Sequence, residues 1–382
     1  MIAKNRIINL ISTGFFLLIN IIFLVKYGSR YSGHYLLIPF SYLVFQLAII
    51  TIIEKYVPGN HSLKNKTKFN LLIVPLFLGY SALLYFAPAE TRVSRADAAI
   101  TWLSDLTAGI FPYGSQVNPS GFPVNFLLML PLYLMGNIGI LQIITFTGFA
   151  LLIIYYSKTL KELLFRGFIF ISSVPLFYEL TVKSEIFSNM FFVALLSVFI
   201  LKKESENKVT AGFIVSSVLF GFLLSTRLTV LPVLMILVLY KFRQNFKLIF
   251  YFLAISVLTF AATLLPFIIW NPELFFSRGP FSIQSIYLHP AMMLIILLIA
   301  VYTGWAAANK YELFFGTGLV LFLAVMASMF STVSVEGLYN SLFGDRFDIS
   351  YFIFCVPYFL LGMYEYKVDY FLGKIMPVDE ND

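Results

Sequence analysis

Charge is scarce in this chain of 382 residues: 12% are Asp, Glu, Lys or Arg, while 60% are hydrophobic. A soluble fold devotes about a quarter of its residues to charge. The shortage excludes an ordinary water-soluble enzyme, a nucleic-acid-binding domain and a secreted disulfide scaffold. Cysteine is nearly absent, and the single Cys355 cannot make an internal bridge or a multi-cysteine metal site. The three histidines, His34, His61 and His289, are scattered without metal-ligand spacing. The basic loops hold no nucleotide-binding glycine motif. Most apolar runs lack an ionisable residue at their middle, which argues against an ion-coupled pump.

What the sequence has instead is a succession of apolar runs, with a mean hydropathy of +0.88. A bilayer is spanned by roughly 20 apolar residues. Runs near that length, several of them shorter, cover 7–25, 35–53, 70–86, 138–156, 167–180, 186–201, 209–225, 228–240, 248–270, 288–306, 313–330 and 347–364. One more, 122–136, is only fifteen residues long and contains Pro123 and Pro131. The net charge of +7 sits in short basic clusters between runs, and cytoplasmic loops retain Lys and Arg. With the N-terminus inside and 122–136 not crossing, Lys55, Lys64, Lys158, Lys161, Arg166, Lys241, Lys310 and Lys367 all fall on the cytoplasmic side. Beyond 136 the outer face then keeps only the isolated Lys183, Arg227, Arg278 and Arg346. If 122–136 crosses fully, every later assignment inverts and the charge rule is broken. The expected fold is therefore all-α: a polytopic membrane helix bundle of about twelve spans with a re-entrant segment and both termini inside. The expected organisation is a two-span hairpin with a basic loop over 1–69, a transmembrane core over 70–366 with an outer loop at 87–121, and a short cytoplasmic tail at 367–382.

The outer loop carries the most information. Ser94 can cap a helix whose first turn holds Asp97. Ile100, Leu103, Leu106 and Ile110 suggest one apolar face, with Thr101 and Asp105 off it, as in a helix lying on the membrane surface. Pro112 is expected to end that helix. Asp97 can serve as general base toward an acceptor hydroxyl, or simply complement the helix dipole. Asp105 and Glu90 read equally as solvated or interfacial charges. Arg227, tight between two runs, can grip a phosphate at headgroup depth or snorkel at a helix end. Arg278 lies in a Pro- and Gly-rich outer segment, and Arg346 opens the last run beside Asp345 and Asp348. Glu179 and Glu185 flank a short turn. One of them could line a sugar pocket or hold a divalent cation, or the turn could be bridged through Lys183.

The order of these motifs resembles the GT-C superfamily of membrane glycosyltransferases, especially its bacterial polyprenol-phosphate-sugar-dependent branch with mannosyl- and arabinosyltransferase-like members. The resemblance rests on the run 70–86, Asp97, the element Gly109-Ile110-Phe111-Pro112-Tyr113, and Phe122-Pro123 with Pro131. It continues through Ser173-Val174-Pro175-Leu176-Phe177-Tyr178, Ser225-Thr226-Arg227 with Pro232, and Leu265-Pro266 to Trp270-Asn271-Pro272-Glu273-Leu274-Phe275. It covers roughly 70–364. A paired Asp-Asp or Asp-Glu at Asp97 is missing, and so is a double proline after the loop.

The resemblance implies an integral membrane enzyme of glycan biosynthesis in the cell envelope, in the inner or plasma membrane with its site on the extracytoplasmic side. The donor would be a sugar on a polyprenyl phosphate, and the acceptor a glycan, lipid or protein hydroxyl. Asp97 would act as the base, with inversion. Arg227, together with Arg278 or Arg346, would hold the leaving phosphate, and Tyr113, Asp105 and Glu185 would join the substrate site. No cofactor is required, though the isolated carboxylates are compatible with a divalent metal. The rival readings are a polysaccharide polymerase or ligase of the O-antigen type, and a lipid or oligosaccharide flippase without covalent chemistry.

Overall fold

Long stretches of Ile, Leu, Phe and Val leave the backbone few ways to satisfy its hydrogen bonds away from water, and the helix is the simplest. The computed structural model describes residues 2–30, 33–58, 73–86, 95–115, 120–202, 208–284 and 289–363, and these are helical nearly throughout. Ser94, Glu90, Arg92, the basic loop with His61 and Lys64, and the tail at 367–382 lie outside the described residues. In chain order the helices are α1 (Ile2–Gly28), α2 (Leu37–Tyr56), α3 (Ile73–Phe86), α4 (Arg95–Thr107), α5 (Pro123–Leu127), α6 (Leu130–Leu134) and α7 (Ile140–Tyr156). There follow α8 (Leu160–Ile171), α9 (Val174–Thr181), α10 (Ile186–Lys202), α11 (Ala211–Leu224), α12 (Val230–Phe242) and α13 (Phe246–Trp270). The chain closes with α14 (Pro272–Arg278), α15 (Pro280–Gln284), α16 (Pro290–Ala306), α17 (Lys310–Glu336), α18 (Leu338–Leu342), a 3-10 turn (Ile349–Cys355) and α19 (Val356–Gly362).

Four helices, α1, α2, α13 and α17, are long and apolar enough to cross a membrane. The pair α8 and α9, bent by 49°, makes a fifth if counted as one span. Shorter apolar helices, among them α7, α10, α11, α12 and α16, pack between them. The apolar windows of α2 and α13 are only 17% and 22% buried, so most of their surface is left for lipid. This is the architecture of a multi-pass helical membrane protein. The run 122–136 forms no continuous helix. It breaks into α5 and α6, five residues each, and five residues rise only about 7.5 Å.

Two apolar cores divide the interior. The main one gathers Phe16, Ile19 and Phe23 of α1 with Phe149, Phe187, Leu234 and Phe359. The first helix is thus built into the bundle, and Phe15 stacks on Phe359 at 5.3 Å. The smaller core lies under α4, where Trp102 stacks on Phe126 of α5 at 4.6 Å and meets Tyr113 edge-on at 5.8 Å. The face of α4 differs from the one expected. Ala96, Ala99, Trp102 and Leu103 point inward, while Ile100 and Ile110 are exposed. Small alanines let the helix approach closely, and Trp102, with the largest apolar area, sets the rotation. The helix also ends before Pro112, at Thr107. Gly109 takes the positive φ of +73° that turns the chain there.

Charged side chains mark the end of the bundle that carries the α7–α8 turn. Thr159 Oγ1 accepts from the Glu162 amide at 3.2 Å, capping the start of α8, and Glu162 Oε2 accepts from the Lys158 amide just before the cap at 2.7 Å. Glu162 also pairs with the fully buried Arg166 at 2.6 Å. Arg166 donates to the carbonyl of Met363 and lies 5.1 Å from the Tyr156 ring, tying the end of α19 to α7 and α8.

Close helix crossing depends on residues without side chains. A Cβ at Gly304 of α16 would lie 2.5 Å from the Ile236 carbonyl oxygen of α12. Since backbone cannot yield as a side chain can, Gly304→Val will force the two helices apart. The variant should lose about 1–3 kcal/mol, read as a lower thermal unfolding midpoint in detergent. Gly14→Ala, where the added Cβ meets nothing within 4 Å, serves as the control.

Candidate functional site

An ion taken out of water needs a partner, because leaving it bare is costly. Five ionisable groups meet at the end of the bundle opposite Arg166. Arg227 comes from the tight turn between α11 and α12, Glu185 immediately precedes α10, and Glu179 lies in the last turn of α9. Arg95 opens α4, and Asp348 precedes the 3-10 turn. Arg227 Nη2 donates to Glu185 Oε1, and the two side chains are 3% and 6% exposed. Arg95 donates to Asp348 Oδ2 through Nη2 and through Nε, the latter at 3.1 Å. Its guanidinium lies 4.9 Å from the Tyr351 ring. Glu179 Oε2 accepts from the Phe187 amide in the first turn of α10 at 3.4 Å.

Electrostatics keep two of these carboxyls ionised. Burial works against the charge on Glu185, but Arg227 and then Arg95 outweigh it and hold the group below the usual carboxylate range. Asp348 also feels burial first. Arg95 and hydrogen bonds from Ser350 then bring it down to about 2. The Ser350 hydroxyl donates to Asp348 Oδ1 at 2.6 Å, and the Ser350 amide at 2.9 Å.

Beside Arg227 opens a cavity of about 340 Å³. Its walls are mostly apolar: Leu231 and Pro232 of α12, Ile296 and Leu297 of α16, Leu321 and Val325 of α17, and Phe354. Arg227, Thr229, Gln284, Ser328 and Tyr351 are its polar lining. Arg227 Nε and Thr229 Oγ1 are buried there without a hydrogen-bond partner among the described residues. The rim is braced. Gln284 Oε1 accepts from the Leu228 amide at 2.8 Å, Gln284 Nε2 donates to the Ser120 carbonyl, and the Phe122 amide donates to the Thr226 carbonyl at 3.1 Å. The arrangement can receive an amphiphile that has an apolar body and an anionic end.

Of the residues singled out in the sequence, Arg227 and Glu185 are brought together. Asp97 is not part of that pair. It is exposed on α4 and makes no ion pair among the described residues. Asp105 is half-buried on the same helix. Tyr113 is fully buried and donates from its hydroxyl to the Gly121 carbonyl at 3.0 Å, which fastens the outer loop. Arg278 is surface-facing, with Nη1 3.4 Å from the Gly114 carbonyl oxygen. Arg346 is 66% exposed and reaches only Glu336, at 3.8 Å. Its neighbour Asp345 pairs instead with Lys26 in the last turn of α1 and Arg30 just beyond it, at 3.0 and 2.6 Å. Among the described residues no group of three His, Cys, Asp or Glu side chains is placed to hold a metal.

The residue that sequence reasoning missed is Arg95. The signal was there: 95, 99, 102 and 106 follow a helical repeat, and Ala99 and Trp102 are apolar. Asp97, two positions on, is rotated by about 200° and faces the other way.

The ionised state of Asp348 has a measurable consequence. Its carboxyl titrates lower in the folded chain than its ordinary 3.8. The stabilisation is therefore present at neutral pH and lost as pH falls from about 4 toward about 2. Asp348→Asn should be less thermally stable than wild type at pH 7, and the difference should shrink as the pH is lowered through that window. A constant difference across the same range would mean that the bond to Arg95 does not carry it.

None of the protein family models, curated proteins or solved structures compared with the chain matches it.

Proposed function

We propose that this protein is an integral membrane glycosyltransferase that moves a sugar from a polyprenyl-phosphate donor to an acceptor hydroxyl on the outer face of the membrane. The observation that carries the reading is the apolar cavity bordered by the buried guanidinium of Arg227. An isoprenoid chain ending in a phosphate diester has the matching apolar body and charged end. In this reading the chain makes about twelve spans with both termini inside, α5 and α6 re-enter from outside, and the end holding Arg227 faces out.

The chemistry follows from an anion leaving in a dry place. The acceptor oxygen attacks the anomeric carbon while Asp97 takes its proton. The bond from that carbon to the phosphate oxygen breaks, and the electron pair leaves with the lipid phosphate. Attack opposite the leaving group inverts the configuration. Arg227 stabilises the departing charge, an effect strongest where water is excluded. Arg278 and Arg346 are left out of this scheme, because both are exposed and neither lines the cavity. Glu185, whose carboxylate is held below the usual range by Arg227 and Arg95, is ill suited to be the base, whereas the exposed Asp97 is open to an acceptor.

A second reading, binding and movement of a lipid-linked sugar without covalent chemistry, is favoured by one observation: Asp97 is rotated away from the face that Arg95 shares with the buried charges. One experiment separates the two. Transfer of labelled sugar from polyprenyl-phosphate donors is measured in membranes holding wild type or Asp97→Asn. Loss of the base should slow transfer by about 10²–10⁴-fold. Undiminished transfer would remove Asp97 from the mechanism, and lipid translocation with no transfer by either protein would establish the second reading.

A further inference from the structure

Arg227 has more donors than its partner uses. Nη2 donates to Glu185, Nη1 lies 3.4 Å from Ser120 Oγ, and Nε is buried with no partner among the described residues. Thr229 Oγ1 is in the same condition on the same cavity wall. Buried polar atoms of this kind are rarely left unmatched in a folded protein, so the position is built for more acceptor atoms than one carboxylate oxygen supplies. A second unpartnered donor belongs to another cation that acts on Glu185. Arg95 also stabilises the Glu185 charge, yet its Nη1 is buried without a partner while its other nitrogens hold Asp348.

We infer that Glu185 is a built-in counter-ion that occupies the anion position at Arg227 when no ligand is bound, and that it yields this position to the phosphate of a lipid, turning toward Arg95. The inference rests on reading the cavity as a lipid-phosphate site. A phosphate diester carries one negative charge, so the exchange at Arg227 is like for like. The guanidinium keeps a partner in both states, and the displaced carboxylate moves toward a cation that already acts on it. Glu185 is placed for such a movement, since it lies just before the first turn of α10 and outside the helix itself. The arrangement keeps Arg227 from being bare and buried between ligands, at the expense of affinity, because every ligand must first displace the resident carboxylate.

The test is a titration of the full chain in phosphatidylcholine nanodiscs with a polyprenyl-phosphate-linked sugar, a phosphate diester, and separately with inorganic phosphate. Glu185→Gln should bind the lipid about tenfold more tightly than wild type, because the competitor is gone. Adding Arg227→Gln should abolish the gain. If Glu185→Gln does not fold, Glu185→Asp, which retracts the carboxylate by one methylene, is read instead, with a gain of about threefold expected. Wild type that binds the lipid while the Glu185 variant binds it equally or less well would overturn the exchange and leave the lipid-phosphate reading intact. Binding by neither protein would overturn both. An equal gain with inorganic phosphate would assign the position to free phosphate and refute the lipid assignment.

Discussion

The ion pair between Arg227 and Glu185 is the constraint around which this end of the molecule is organised. Neither group is tolerable alone at 3% and 6% exposure, since a buried charge stripped of its partner typically costs about 3–5 kcal/mol. The α11–α12 turn must therefore meet the start of α10. That meeting brings Thr226 against Phe122 and sets Gln284 between Leu228 and Ser120. One electrostatic requirement thus positions the rim of the cavity, the start of α5 and the loop that leads to it.

Charge works in the same way elsewhere in the bundle. At the opposite end, Arg166 holds Glu162 and the Met363 carbonyl. Near the site, Asp345 holds Lys26 and Arg30, while Asp348, three residues later, holds Arg95. The short segment between α18 and the 3-10 turn therefore fastens the first helix and the surface helix α4 together. With so few charges in the chain, the pairs Arg227–Glu185, Arg95–Asp348 and Lys26–Asp345 each fasten distant segments, and the apolar helices between them have only to fill space.

The rotation of α4 decides which of its charges joins the buried cluster. A helix turns about 100° per residue, so Arg95 and Asp97 cannot share a face. Trp102 inserts into the smaller core and carries Arg95 inward to Asp348 and Tyr351, leaving Asp97 on the open side. In the transferase reading, donor phosphate and acceptor base then approach from different sides of the same element. The inward Arg95 belongs to the anion end of the site, and the outward Asp97 to the acceptor.

Much of this was legible in the residues. Continuous apolar runs and sparse charge point to a helical membrane protein, because a helix satisfies its backbone hydrogen bonds within each run without water, whereas barrel strands are short and alternate in polarity. The shortness of 122–136, with Pro123 and Pro131 in it, argued against a plain span there, and the place of Arg227 tight between two apolar runs marked it as a residue to grip a phosphate or to snorkel. Which carboxylate that partner would be was not legible, since Glu185 is 42 residues away and the pairing exists only once two helix turns meet. The burial of Arg95 and the exposure of Asp97 were likewise settled by tertiary packing. Periodicity says which residues share a face of a helix, but only the surrounding elements decide which face is turned inward.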